Sequence, residues 1–285
     1  MRSDMPSVES RSEDSAGRIT RYGLQTVPPW RIQWRVIDAL VYRELKTRVS
    51  QVKFGFLGVL IQPLIVMSVF LLIFGLFRSG GRGGGPLDIG LFLAAGIVLY
   101  TLFNDIAIRS LNAMDANEAL FFYRPVKPVD TVIARAVVES GLYALILIII
   151  VVGVWIVREA IIISSFLQLV ASFLLLAVTA LGVGLAVMVA GHLFPVFKQI
   201  VPLFFRPLWF MSGVFFSLQG IPQQFRPYLS WNPILQAIEL ARNAFDQSYQ
   251  LEQSISMGYL VICALVSLAF GLGVYVNNEK NLLTR

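Results

Sequence analysis

The side chains that most often perform chemistry are scarce in this sequence and far apart. It contains one histidine, His192, and one cysteine, Cys263, so no Cys/His metal spacing exists. His192 follows Gly191 at an expected helix end, where a structural hydrogen bond is favoured over a ligand role. A single cysteine also excludes a disulfide within the chain and leaves the redox compartment open.

Two patterns suggest phosphate chemistry, and neither is complete. The glycine run from Gly80 to Gly85 lacks the Lys-Ser/Thr of a phosphate-binding loop, so any ATP hydrolysis would require a separate chain. Asp105 and Asp115 resemble the paired aspartates that hold magnesium in intramembrane transferases. They are ten residues apart, too far to lie on adjacent turns of one helix. We therefore predict no catalytic residue, metal ligand or cofactor site on this chain.

Several charges fall inside apolar segments. Asp105 and Arg109 are four residues apart, as are Arg135 and Glu139, and this spacing predicts ion pairs within each helix. Such pairing lessens a burial cost of roughly 2.5 to 3.5 kcal/mol at mid-membrane. Arg206 lies among aromatic residues in an apolar segment, which makes it a functional candidate. Snorkelling towards the nearby membrane surface explains it equally well.

The composition of the chain and the length of its apolar segments are those of a membrane protein. Hydrophobic residues make up 56% of the chain and charged residues 14%, whereas soluble domains carry about 25% charged residues. The apolar blocks reach the length of about 20 residues that crosses a bilayer. The net charge of +6 does not indicate nucleic acid, because 10 of the 23 Lys and Arg precede residue 55, ahead of the first apolar block.

We predict an all-α integral membrane fold with six transmembrane helices. Prolines at 222, 227 and 233 break the segment between helices five and six into short half-helices, which survive at membrane depth only when buried in protein or lining a cavity. The six predicted spans are residues 54–77, Ile89–Ile108, Ala136–Val157, Ile161–Val189, a helix beginning near Gln199, and Met257–Val276, with a turn at Gly191–Phe197 before the fifth.

The amino-terminal part divides into two predicted regions ahead of the transmembrane domain, residues 51–285. Residues 1–29 are polar and charged, which predicts a disordered cytoplasmic tail. Residues 30–50 place Trp30, Trp34 and Leu45 at helical spacing among basic residues, which predicts an amphipathic helix in the membrane interface. A helix packed on soluble protein is the alternative.

The basic residues also predict the orientation. Seventeen Lys and Arg fall in segments on one side of the six spans, five on the other, and Arg206 lies inside helix five. By the positive-inside rule both termini are cytoplasmic.

Five blocks of sequence resemble the permease subunits of ABC-2 type exporters, and most closely those of capsular polysaccharide export. Phe197-Lys198 departs from this family, which usually has Arg-Asp after helix four. The matching blocks are YRELKTRVSQVKFGFLGVLIQPLI (Tyr42–Ile65), ALFFYRPVKPVDTVIARAVVE (Ala119–Glu139), PVFKQIVP (Pro195–Pro202), RPLWFMSGVFF (Arg206–Phe216) and SWNPILQAIELAR (Ser230–Arg242).

The resemblance implies a homodimer in the bacterial inner membrane, with two separate ATP-binding cassette subunits that bind ATP and magnesium. It implies a lipid-anchored acidic polysaccharide as substrate and periplasmic or outer-membrane export proteins as further partners, with no nucleic acid. Glu239 and Arg242 would form an ion pair on re-entrant helices at the outer mouth. The residues facing the ATPase would be Asp115, Glu118, Phe122, Tyr123 and Arg124, in a coupling segment from Asp115 to Lys127.

A channel for a polyanionic glycan should present cations and aromatic faces without deep binding wells. Arg206, Trp209, Phe210 and Phe216 are the predicted wall. Three alternatives remain open: export of another lipid-linked glycan such as O-antigen or teichoic acid, a non-ABC membrane transporter, and an intramembrane transferase.

Overall fold

A computed structural model describes residues 28–50, 58, 61, 64–70, 72–73, 89–121, 126–158 and 163–283. All regular secondary structure in these ranges is helical. The predicted tail, the glycine-rich loop and most of the predicted first span lie outside the described residues. Contacts divide the chain into residues 1–35 and 36–285, and the packing described below is that of the second unit.

The helices are numbered in chain order within the described ranges. Short 3-10 turns cover Glu118–Leu120, Leu218–Gly220 and Gln223–Phe225. The α-helices are α1 (Pro29–Ser50), α2 (Ile89–Leu111), α3 (Ala113–Asn117), α4 (Pro128–Arg158), α5 (Phe166–Leu193), α6 (Phe197–Met211), α7 (Arg226–Ser230), α8 (Pro233–Phe245) and α9 (Met257–Leu283).

Four of these helices, α2, α4, α5 and α9, are long and apolar enough to cross a membrane. Helix α6 has 15 residues, which gives a length of about 22 Å, short of the roughly 30 Å hydrocarbon layer. Residues 64–70 of the predicted first span are helical. The described residues thus contain four candidate spans, and the count of six stays a prediction.

The fourth predicted span begins later than expected, at Phe166 instead of Ile161. The backbone N–H groups of Ser164 and Ser165 donate to the carbonyl of Ala244, at 3.0 and 2.9 Å. These bonds satisfy the end of α8, whose last carbonyls have no donor within the helix. The chain before α5 is therefore held as an extended link to α8 and cannot be helical there.

Two further boundaries differ from the prediction. Helix α4 begins at Pro128, eight residues before the expected Ala136, and proline is favoured at the first position of a helix because its missing N–H costs nothing there. Helix α5 continues through His192 to Leu193, so the turn before α6 is shorter than expected. The Phe194 N–H still donates to the Ala190 carbonyl at 2.8 Å, which extends the helical bonding.

Helix α2 is the centre of the bundle and packs against α4, α5 and α8. Its buried residues cover every side of the helix, from Leu91 to Leu111. Helices α4 and α9 instead expose apolar side chains such as Ile148 and Val266. An apolar helix surface that faces outward is stable in lipid and not in water.

Helices α5 and α9 approach each other closely at two glycines. A Cβ atom on Gly182 would lie 2.3 Å from the backbone carbon of Ser267, and one on Gly271 would lie 2.2 Å from the Gly182 carbonyl oxygen. Only glycine fits at either position. Small residues of this kind allow backbone contact between membrane helices, where packing replaces the hydrophobic effect as the main attraction.

Candidate functional site

A network of ion pairs joins α1 to α2 and α4. Arg48 Nη2 lies 3.4 Å from Asp105 Oδ2 and 3.4 Å from Glu139 Oε2. Arg109 Nε lies 3.0 Å from Glu139 Oε1, and the Tyr143 hydroxyl donates to Asp105 Oδ2 at 2.7 Å. Glu139 is only 2% exposed, so its charge depends on the two arginines.

The network corrects the predicted pairing within single helices. Arg135 pairs with Glu44 of α1, with 3.2 Å from Nε to Oε1, and also donates to the carbonyl of Arg109. The predicted pairs, Asp105 with Arg109 and Arg135 with Glu139, are therefore wrong in their partners. Spacing along one helix cannot reveal that α1 brings further charges to the same place.

Helix α1 covers the segment in which the sequence predicted an amphipathic helix. Three of its charged side chains, Arg43, Glu44 and Arg48, bond to other parts of the protein instead of facing head groups. Lys46 and Tyr42 are exposed. The location of α1 at a membrane surface stays a prediction.

The described part of the predicted coupling segment starts within α3. Buried Met114 anchors the segment, and Asn117 accepts a hydrogen bond from Arg43 of α1, with 2.6 Å from Nη2 to Oδ1. Asp115 and Glu118 are exposed on the outer side of the turn. This arrangement leaves both carboxylates accessible to a second protein.

The Asp115 carboxylate already has a partner within the chain. It pairs with the Lys198 ammonium, in the first turn of α6. The side chains remain 56% and 27% exposed, so the pair is solvated. Phe122, Tyr123 and Arg124, the other predicted ATPase-facing residues, lie outside the described residues.

The predicted channel residues separate into two groups. Arg206 and Phe210 are both exposed on α6 and lie four residues apart, which places them on one face of the helix. Trp209 and Phe216 are partly buried and pack against the core. The structure thus brings two of the four residues to an open face and uses the other two as support for that region.

Trp209 is the centre of an aromatic cluster. Its ring lies 5.9 Å from that of Phe70, 4.9 Å from Phe215 and 5.3 Å from Phe210, between centroids, and all three contacts are edge-on. The Tyr100 ring is 6.4 Å away. Edge-to-face contacts stabilise ring pairs beyond their buried area, so the cluster fixes the end of α6 at Met211.

Arg242 is fully buried, as is Glu239 one turn before it on α8. Its Nη1 atom lies 3.0 Å from Glu239 Oε1 and 3.0 Å from the Phe216 carbonyl oxygen. Its Nη2 atom donates to the carbonyls of Val214 and Phe92 at 3.0 and 3.3 Å, and its guanidinium lies 3.5 Å from the centre of the Phe92 ring. One side chain therefore holds α8, α2 and the loop after α6 together.

Two glycines make room for that loop. Gly213 has a φ of +70°, a conformation that residues with a Cβ rarely adopt. A Cβ on Gly96 of α2 would lie 2.6 Å from the Val214 carbonyl oxygen. The loop can therefore turn back and lie directly on α2, where its carbonyls reach Arg242.

Tyr249 completes this buried network, which we name the Arg242 network: Arg242, Glu239, Tyr249 and Ser217. The Tyr249 hydroxyl lies 2.9 and 3.0 Å from the two Glu239 oxygens and 2.7 Å from Ser217 Oγ. Burial, and secondly the Glu239 carboxylate, raise the pKa of Tyr249 above its ordinary 10.0. The phenol therefore stays protonated at neutral pH and can donate to the carboxylate.

The lone histidine and cysteine take no part in these networks. His192 lies in the last turn of α5, and its Nε2 atom is buried with no hydrogen-bond partner among the described residues, so the structural bond expected there is not made at this atom. Cys263 lies on α9 and is a free thiol. Within the described ranges, no three His, Cys, Asp or Glu side chains gather as metal ligands.

Sequence reasoning missed several residues that the structure connects. Glu44 and Arg48 of α1 lie four residues apart, a spacing that puts them on one face of the helix and marks that face as a candidate contact. Lys198 carried a weaker signal, since it stands where the resembled family has an acidic residue. Nothing in the sequence connects Tyr249 to Glu239, ten residues away in the chain.

A family model for the ABC-2 type transporter matches residues 35–245. The match covers well over half of the chain. The chain belongs to the ABC-2 type transporter family. Within this ABC-2 chain the match includes most of α1 and continues to the end of α8. It therefore contains the ion-pair network, the coupling segment and all of the Arg242 network except Tyr249.

Curated relatives cover nearly all of the chain. Polysialic acid transport protein KpsM of Escherichia coli is 37% identical over 253 residues, which is 89% of this chain and 97% of the relative. Capsule polysaccharide export inner-membrane protein CtrC of Neisseria meningitidis is 27% identical, over 87% of this chain and 93% of the relative. Capsule polysaccharide export inner-membrane protein BexB of Haemophilus influenzae is 28% identical over the same shares.

Proposed function

We propose that this chain is the channel-forming permease subunit of an ATP-driven exporter of lipid-anchored, acidic capsular polysaccharide across the bacterial inner membrane. The proposal is supported by the names of the three relatives, which all refer to polysaccharide transport or capsule export. Each relative matches nearly nine-tenths of this ABC-2 chain. The alignments also cover more than nine-tenths of each relative, which supports a shared role for the whole chain.

The energy source is a second protein. The sequence has no complete phosphate-binding loop, and ABC-2 membership supports a partner ATPase that supplies ATP and magnesium chemistry. In this proposal two copies of the chain form a homodimer, and each copy binds one ATP-binding cassette subunit. The chain itself forms the path and transmits movement.

Six spans make up the proposed membrane domain. They are the four long helices, the segment of residues 54–77, and α6. The distribution of Lys and Arg supports cytoplasmic termini. The end of α6 at Phe197 and helix α3 then face the cytoplasm, while α7 and α8 lie near the outer mouth, where they would form the re-entrant segment.

Topology can be tested with a single introduced cysteine. Leu120→Cys in a Cys263→Ser background should react with a membrane-impermeant maleimide only after the inner membrane is opened. Labelling from the periplasmic side of intact cells would overturn the six-span arrangement. Tyr228→Cys, on exposed α7, is the matched position and should show the opposite pattern.

The proposed ATPase contact uses the exposed carboxylates of the coupling segment. Reversing both, with Asp115→Lys and Glu118→Lys, should abolish export while the protein still inserts into the membrane at its normal level. Normal export by the double variant would exclude the coupling role. Lys46→Glu, an exposed charge reversal on α1, serves as the control.

The proposed path runs along the exposed face of α6. Arg206 supplies a cation and Phe210 an aromatic surface, and both are open to a passing polymer. Exposure of both side chains in the described part of the chain suits processive movement, because a charged sugar would not be held tightly there. Trp209 and Phe216 would support this wall from behind.

The deciding experiment uses the permease and its ATPase subunit reconstituted in vesicles. Lipid-anchored capsular glycan should cross the membrane when ATP is added and should remain in place with a non-hydrolysable analogue. Movement without ATP would point to a non-ABC transporter, and chemical alteration of the glycan would point to a transferase. Transport of O-antigen or teichoic acid in preference to capsular glycan would overturn the substrate assignment.

A further inference from the structure

The pair between Lys198 and Asp115 differs from the other ion pairs in its position. Lys198 lies in the first turn of α6, where the positive end of the helix dipole disfavours a cation. The charge of Lys198 therefore does not stabilise α6. The Asp115 carboxylate, which comes from α3, neutralises Lys198 and places a negative charge at the helix start, where such a charge is favourable.

The pair is also exposed. With 56% of the Asp115 side chain and 27% of the Lys198 side chain accessible, water and salt screen the attraction, and such pairs add little to folding stability. Such a contact can shift or re-form without unfolding either element, so the link between α3 and α6 can change while the bundle stays folded.

The first turn of α6 can respond to such a movement. Pro202 has no N–H and cannot donate to the carbonyl of Lys198, the acceptor four residues before it. The turn that begins at Phe197 is therefore joined less tightly to the rest of the helix. The opposite end of α6 leads into the loop that Arg242 holds, so displacement is easier at the Lys198 end.

We infer that Lys198 is a positioning residue for energy coupling: it ties the first turn of α6 to α3, so that a movement imposed on α3 by the ATPase reaches the helix that carries Arg206. The inference rests on the proposed function and adds a residue and a route to it. Glu118 and its neighbours would receive the movement, and the Asp115–Lys198 pair would pass it on.

A covalent replacement of the pair gives the sharpest test. Asp115→Cys with Lys198→Cys, in a Cys263→Ser background, removes both charges and should lower ATP-dependent export about fivefold, the lower end of typical coupling between sites. A bifunctional methanethiosulfonate reagent, which spans the length of the lost side chains, should raise export of the double variant, and reduction should remove the gain. Each cysteine alone should show no such response to the reagent.

Charge exchange provides a second test without a cross-link. Lys198→Glu repels Asp115 and should lower export while ATP hydrolysis by the complex continues. Adding Asp115→Lys restores an attractive pair with exchanged signs and should raise export above that of Lys198→Glu alone, although the exchanged Asp115 no longer offers its carboxylate to the ATPase. Gln199→Glu places a new acid on the same turn, at an exposed neighbouring position, and should leave export unchanged.

The outcomes separate this inference from the proposed function. If neither the cross-link nor the exchanged charges raise export, the tie through Lys198 is excluded. A gain in either test supports it. If the unmodified chain and its ATPase move no glycan in response to ATP, the proposed function itself fails, and the yield of cross-linked chain still reports whether positions 115 and 198 are neighbours.

Discussion

The two ends of α6 are held by opposite kinds of interaction. At the Met211 end, Arg242 donates hydrogen bonds to carbonyls of the following loop and is fully buried together with Glu239. At the Phe197 end, one solvated pair joins Lys198 to Asp115. A buried, multiply bonded charge resists displacement, whereas an exposed pair exchanges readily. The comparison indicates a helix that is fixed at one end and adjustable at the other.

The largest loss of folding stability should come from a substitution of Arg242, which holds the fixed end of α6. Arg242→Ala leaves the Glu239 charge buried without its partner, which costs about 3 to 5 kcal/mol of folding free energy. The thermal midpoint and the yield of folded protein in detergent should both fall. Arg242→Lys keeps the charge but loses the forked geometry, so its loss should be intermediate. A stability change under about 1 kcal/mol for the alanine variant would contradict a fixed end.

A smaller loss should follow from removing one hydroxyl of the same network. Tyr249→Phe takes away the donor to Glu239 and should cost about 1 to 3 kcal/mol. The raised pKa of Tyr249 means that the phenol's contribution is complete below pH 10.0 and falls as the pH rises above that value. Above that pH the stability gap between wild type and variant should therefore narrow. A stability gap that widens as the pH rises would contradict a raised pKa for Tyr249.

The adjustable end should behave differently in the same measurement. Lys198→Ala should change the folding free energy by about 1 kcal/mol or less, because the pair is exposed. Raising the salt concentration should reduce even that difference. Unfolding curves of wild type and variant at two salt concentrations provide the check. A loss as large as that of Arg242→Ala would abolish the distinction between the two ends.

The smallest stability effect is expected between the two ends, at Arg206. This side chain is exposed, so Arg206→Ala should alter folding free energy by about 0.5 kcal/mol or less. Glycan export should nevertheless fall if the side chain lines the path. Arg206→Lys separates the two interpretations, because a snorkelling cation tolerates lysine and a guanidinium that pairs with carboxylates does not. Unchanged export in both variants would exclude a role in the path.

Much of the architecture was predictable because a helix that crosses the bilayer needs about 20 consecutive apolar residues, which are easily seen in a sequence. The predicted spans at Ile89, Ala136, Ile161 and Met257 all correspond to candidate membrane helices. Their ends were less accurate: α5 begins at Phe166 because Ser164 and Ser165 bond to the end of α8. That bond joins segments about eighty residues apart, and local patterns carry no information about it.

The polar contacts were predicted unevenly for a related reason. Glu239 and Arg242 lie three apart on one helix, and the structure joins them at 3.0 Å. Asp105 and Arg109 have similar spacing, yet each pairs with a residue of another helix. The difference is that α1 packs beside these residues, and its Arg48 pairs with both Asp105 and Glu139. The roles assigned to the coupling segment, the path and the outer mouth stay predictions.

The glycine contact between α5 and α9 has a consequence for how the chain is made. Residues 194–256 separate the two helices, so α5 leaves the insertion machinery well before α9 is synthesised. Until then, the surface at Gly182 lacks the helix that covers it in the folded chain. The tightest glycine contact can therefore form only after the last described helix has been made, so it closes the bundle late.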